Sequence, residues 1–137
     1  MTEEEVIKTI INKFSNANKA KIPLLRGNRY FLAELIESGI KVDNLGKEPF
    51  LPWGVFIETV KLLEKLGGTA KKGNAMNYKL GEKELDENTI EGCIASKIYS
   101  KKNGDTVFRR ITPVANILIW AGICKNLPGK LELTYKN

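Results

Sequence analysis

The chain has 137 residues, 42% of them apolar, with 22 Lys and Arg against 16 Asp and Glu, a formal net charge of +6 and no histidine. This length suits one folded domain or two small subdomains sharing a core, and no apolar run approaches the roughly 18 residues that a membrane-spanning helix needs. The missing imidazole removes the commonest general base, the Ser-His and Cys-His nucleophile pairs, and histidine-bearing zinc sites.

Thr2-Glu3-Glu4-Glu5 reads as a capping box, and Val6, Ile7, Ile10, Ile11 and Phe14 follow at helical spacing, so a first helix is expected to about Asn16. A loop containing Pro23 comes next. A second helix is expected from about Asn28 to Ser38, with Phe31, Leu32, Leu35 and Ile36 inward and Gly39 as its stop. Residues 40–51, with Asp43-Asn44-Leu45-Gly46 and Pro49, suggest a short irregular hairpin. Pro52 suits the first turn of a third helix whose stripe is Trp53, Phe56, Ile57, Val60, Leu63 and Leu66, ended by Gly67-Gly68. Residues 69–80 read as a hairpin with a lysine-rich tip at Gly73-Asn74.

A fourth helix is expected to start at a capping box, Asn88-Thr89-Ile90-Glu91, and to carry Ile90, Cys93, Ile94 and Ile98 on one side. Gly92 would weaken it by about 1 kcal/mol relative to Ala unless close packing needs the gap. Thr106 to Arg110 reads as extended, Thr112-Pro113 as the start of a last helix to Ala121, and 123–135 as a closing hairpin in which Leu131, Leu133 and Tyr135 alternate. The last helix has one polar residue after Pro113, Asn116, and so reads as a core helix.

Leu35-Ile36-Glu37-Ser38-Gly39-Ile40 recurs as Leu118-Ile119-Trp120-Ala121-Gly122-Ile123, and the same offset pairs Arg26 with Arg109, Gly46 with Gly129 and Lys47 with Lys130. Each copy reads as a helix stopped by glycine, followed by an extended run. The expected fold class is therefore mainly α with short β-hairpins (α+β), as two winged-helix-like units packed in one compact domain: 1–68 as scaffold and 69–137 as a basic unit.

Charge sharpens that division. Residues 1–68 hold 10 basic and 9 acidic side chains and residues 69–137 hold 12 and 7, so the net charges are +1 and +5. A basic surface of this kind suits phosphate contacts that displace counterions. Candidate DNA contacts are Lys71, Lys72, Asn74 and Lys79 on the middle hairpin, and Lys97, Lys101 and Lys102 around the end of the fourth helix. Arg109, Arg110 and Asn116 follow, then Lys125 and Lys130 on the last hairpin. Arg109 and Arg110 are adjacent in an extended segment, so one can pair internally while the other faces a ligand.

Catalytic signatures are missing. Neither GxxxxGK[ST] nor GxGxxG occurs, and no Asp or Glu is followed two positions later by Lys, the spacing of restriction-type nuclease cores. The acidic clusters Glu3–Glu5 and Glu82–Glu87 adjoin helix starts, where carboxylates suit the helix dipole. Cys93 and Cys124 stand outside any CxxC pattern in apolar stretches, as reduced structural thiols do. No enzyme, cofactor or metal is expected, and residues 1–20 lack the order of a secretory signal, so a cytoplasmic protein is expected.

The stretch Phe108-Arg109-Arg110-Ile111-Thr112-Pro113, then Ile117 to Ile123, then Pro128-Gly129-Lys130-Leu131-Glu132-Leu133 resembles the closing part of winged helix-turn-helix modules that accompany bacterial restriction and mobile-element proteins. The resemblance covers about residues 88–137 and implies duplex DNA as partner, gripped by the wing and helix ends. A protein-interaction or regulatory module using an apolar face with Trp53 or Trp120, or forming a homodimer, is the alternative reading.

Overall fold

The computed structural model describes residues 1–136 as a mixed α+β fold with two small antiparallel sheets. Helix α1 (Glu3–Lys13) starts at the expected capping box: the Glu5 amide donates to Thr2 Oγ1 at 3.1 Å and the Thr2 amide to Glu5 Oε1 at 2.8 Å. Val6, Ile10 and Phe14 are its buried stripe. Ser15 and Asn16 then take left-handed backbone angles and turn the chain away.

Strands β1 (Lys19–Pro23), β2 (Tyr30–Ile36), β3 (Gly39–Val42) and β4 (Phe50–Pro52) form a meander in that order. The expected second helix over 28–38 is thus a strand. Its buried residues alternate, with Phe31 and Ala33 inward and Tyr30 and Leu32 exposed. Aromatic and branched residues supply both a 3.6 and a 2.0 period over so short a run, and pairing with β1 and β3 selects the latter. Gly39 is not a helix stop either. A Cβ there would lie 2.1 Å from the Leu51 carbonyl oxygen, so glycine permits the close approach of β3 to β4.

Helix α2 (Trp53–Lys65) follows Pro52 as expected and buries Phe56, Val60 and Leu63. Strand β5 (Thr69–Lys71) does not turn back on itself at Gly73-Asn74. It pairs instead with β7 (Lys130–Leu133), Thr69 opposite Glu132 and Lys71 opposite Lys130. The expected middle hairpin is replaced by a loop tied to later residues: the Lys72 amide donates to the Gly129 carbonyl, the Asn74 amide to that of Glu84, and the Glu91 amide to that of Lys72. Long-range backbone partners have outcompeted a local turn.

Helix α3 (Ile90–Lys97) is capped by Thr89, whose hydroxyl accepts from the Gly92 amide at 3.1 Å. The cap is one residue later than the Asn88-to-Glu91 box requires, which frees the Glu91 carboxylate for another partner. Helix α4 (Ile111–Trp120) ends at Gly122 (φ 79°), and β6 (Cys124–Leu127) pairs with β7 across Pro128-Gly129 in a sheet of order β5-β7-β6. The two copies of the near-repeat therefore differ: the first is strand, turn, strand, and the second is helix, glycine, strand.

One apolar core runs through both halves, joining α1, the meander, α2, α4 and the β6–β7 hairpin. A smaller cluster of Ala75, Leu80, Leu85, Ala95 and Val107 pins the long loop before α3. Both cysteines are free and buried, and burial pushes the Cys124 thiol up to about 12, which holds it in the unreactive protonated form.

Gly92 tests this packing. A Cβ there would sit 1.9 Å from the Asp86 carbonyl oxygen, a backbone atom that cannot swing aside. The gain of about 1 kcal/mol in helix propensity is then outweighed, and Gly92→Ala should lose about 2 kcal/mol or more. Urea unfolding measures it, and an unchanged or higher midpoint would contradict the packing.

Candidate nucleic-acid interface

Three adjoining depressions share cationic lining residues. Lys71, Lys83 and Lys130 line the first, together with Asp86. Lys71, Lys72 and Arg109 line the second, with Asn74, Asn77 and one acid, Glu84. Lys72 and Arg109 continue into the third, where Arg26 and Arg29 from the β1–β2 loop complete the wall. Seven cationic side chains thus follow one another from the β6–β7 tip to the meander.

The backbone of this band is held by identifiable bonds. Lys71 is fixed by the β5–β7 ladder, and Lys72 by the hydrogen bond its backbone amide donates to the Gly129 carbonyl and by its ammonium, which donates to Asn126 Oδ1 at 2.5 Å. Partial burial lowers the Lys72 pKa, the direction desolvation imposes on a cation. The Leu24 amide donates to the Arg29 carbonyl and closes the loop that presents Arg26 and Arg29.

Arg109 and Arg110 point to different environments. Arg109 is exposed in the band, whereas the Arg110 side chain is 4% exposed and ion-paired with Glu48 of the β3–β4 loop. The Arg110 guanidinium lies 3.6 Å from the centre of the Tyr99 ring and also faces Phe108. Arg110 is therefore a structural cation, and its place among the expected DNA contacts is corrected.

The Arg110 amide donates to both Glu91 carboxylate oxygens, at 3.2 and 2.9 Å, so Glu91 caps the start of α4 from α3. Glu91 is 1% exposed. Burial pushes its carboxyl up to about 7, against the lowering effects of the Arg110 and Ile111 amides and of both arginines. Sequence reading missed this residue because a glutamate three positions into a helix start has an ordinary capping explanation.

The other expected contacts are dispersed. Lys101 and Lys102 line a further depression that meets the first at Asp86 and Asn88 and adds Glu87, whereas Lys97 and Lys79 are exposed and line none of these depressions. Lys125 pairs with Glu132 at 2.9 Å. Asn116 is 4% exposed, on the floor of the third depression. Arg26 and Arg29 went unselected because the first half is nearly neutral as a whole, and local clustering is invisible in a sum.

Helix α4 presents no polar reading face: Val114, Ala115, Ile117 and Leu118 are buried, and β1 and α1 pack over the helix. Trp120 stacks edge-on against Phe14 at 5.1 Å, and Trp53 donates to the Glu37 carbonyl at 2.9 Å. Both indoles are thus used internally. Among the described residues, no helix is long and apolar enough to cross a membrane, and no His, Cys, Asp and Glu cluster could hold a metal ion. In comparisons with known proteins, the chain matches no family model, curated protein or solved structure.

The Glu91 shift has a testable sign. An acid whose folded pKa exceeds its unfolded value of 4.5 supports folding fully below that value, and the support is lost as pH rises through about 7. Between pH 4 and pH 8, wild type should lose on the order of 3 kcal/mol relative to Glu91→Gln. Paired urea titrations across that range measure the difference, and a constant difference would show that folding leaves the Glu91 pKa unshifted.

Proposed function

We propose that the chain is a non-catalytic DNA-binding protein that grips duplex phosphates along the cationic band. The carrying observation is the continuity of Lys130, Lys71, Lys72, Arg109, Arg26 and Arg29 across adjoining depressions, with Glu84 and Asp86 the acids among their lining residues. The order α2, β5, α3, α4, β6, β7, with β7 central in the sheet, supports a single winged-helix-like module over about residues 53–133. In this reading the wing is the β6–β7 hairpin and α4 occupies the recognition-helix position.

The burial of α4 favours backbone contact over base readout, because a helix covered by a sheet cannot enter a major groove. The β1–β2 loop takes over part of the phosphate grip. Residues 1–52 are thus part of the interface as well as of the scaffold.

Fluorescence anisotropy with a random-sequence duplex tests the reading. Four phosphate contacts would weaken affinity on the order of 100-fold between 50 and 200 mM salt. Reversing Lys71, Lys72 and Arg109 to Glu should abolish detectable binding, whereas Lys79→Ala or Lys97→Ala, outside the band, should cost no more than about threefold. Salt-insensitive binding, or no binding by the wild type at 50 mM, would overturn it.

A further inference from the structure

The third depression is more than a stretch of the cationic band. It is a cavity of about 380 Å³ between the β1–β2 loop and the first turns of α4, a size typical of small-molecule sites. Its walls are both cationic and apolar: Arg26, Arg29, Lys72 and Arg109 stand with Leu24, Leu25, Ile111 and Ala115. None of its lining residues is acidic. A site made for phosphate alone has no use for a leucine pair facing an alanine and an isoleucine.

Asn116 gives the cavity a directional polar group. Its Nδ2 donates to the Thr112 carbonyl at 2.7 Å, which fixes the amide orientation because a carbonyl can only accept. Oδ1 has no hydrogen bond within the protein and is not fully sealed from the surface, so this 4%-exposed residue offers the cavity an acceptor. An apolar slot, one fixed acceptor and four cations match a flat base that donates through an amine and is joined to phosphates.

We propose that the cavity receives one unpaired, unstacked nucleotide of the bound DNA, with preference for an amine-bearing base such as adenine. The base lies against Leu24, Leu25, Ile111 and Ala115, its exocyclic amine donates to Asn116 Oδ1, and the flanking phosphates rest on Arg26, Arg29, Lys72 and Arg109. The burial of α4 is compatible with this because the nucleotide comes to the helix instead of the helix entering a groove. An already unpaired base also avoids the cost of breaking a pair. The inference rests on the DNA-binding reading above.

Three duplexes of one sequence decide it, using the full chain in competition anisotropy at fixed salt: fully paired, with one extra unpaired adenosine, and with that adenosine replaced by unsubstituted purine nucleoside. The adenosine duplex should bind roughly tenfold more tightly than the paired one, the scale of burying part of one base face against aliphatic side chains. It should bind about fivefold more tightly than the purine duplex, which lacks only the amine. Asn116→Ser should bring the adenosine-to-purine ratio to about one. If that variant does not fold, the purine comparison on wild type still decides.

Equal affinity for paired and unpaired duplexes, or for adenosine and purine, would overturn the inference while leaving salt-dependent DNA binding in place. Absence of any binding at low salt would overturn both readings. Free adenosine monophosphate binding as tightly as the adenosine duplex would make this a mononucleotide pocket and overturn the DNA-bound form of the proposal.

Discussion

The start of α4 depends on a carboxylate that reaches it from another helix. Arg110 is the N-cap residue but places no side chain on the helix amides, and Glu91 of α3 accepts from the Arg110 amide in its stead. That bond turns the Arg110 side chain toward Glu48 and the Tyr99 ring, locking the segment before α4 to the β3–β4 loop. With Arg110 held inward, the preceding Arg109 is left exposed on the surface. The position of the most central cation in the band thus follows from a buried acid that never touches the surface.

The same arrangement explains why Glu91 tolerates burial at an energetic disadvantage. A buried carboxylate without donors would cost several kcal/mol, and here two backbone amides and two nearby arginines offset part of that cost. Its neighbourhood is crowded as well: a side chain at Gly73 would meet the Cβ of Glu91, and one at Gly92 would meet the Asp86 carbonyl. Glycine at these positions lets the loop and α3 close over the acid. Weakened helix propensity at Gly92 and an awkward carboxylate at Glu91 belong to one packing solution.

The meander has a second consequence. By packing β1 across α4 it removes the helix from solvent, and by extending the β1–β2 loop past the helix it brings Arg26 and Arg29 beside Lys72 and Arg109. A nearly neutral half of the chain therefore contributes cations to the most basic surface. The charge asymmetry along the sequence, +1 against +5, was a poor guide to charge asymmetry in space.

Local signals in the sequence determined what local physics controls: the Thr2 capping box, the buried stripe of α2, the apolar character of α4 and the Pro128-Gly129 turn. Those features need only near neighbours, through capping bonds, helical periodicity and turn geometry. Tertiary structure alone decided that residues 30–36 are a strand, that β5 pairs with β7 across some sixty residues, and that Gly39 serves close approach instead of a helix end. Each of these depends on partners distant in the chain, and a short apolar run carries both periods until such a partner selects one. The candidate interface divides the same way: the residue types were legible, but which cations share a cavity is set by long-range contacts.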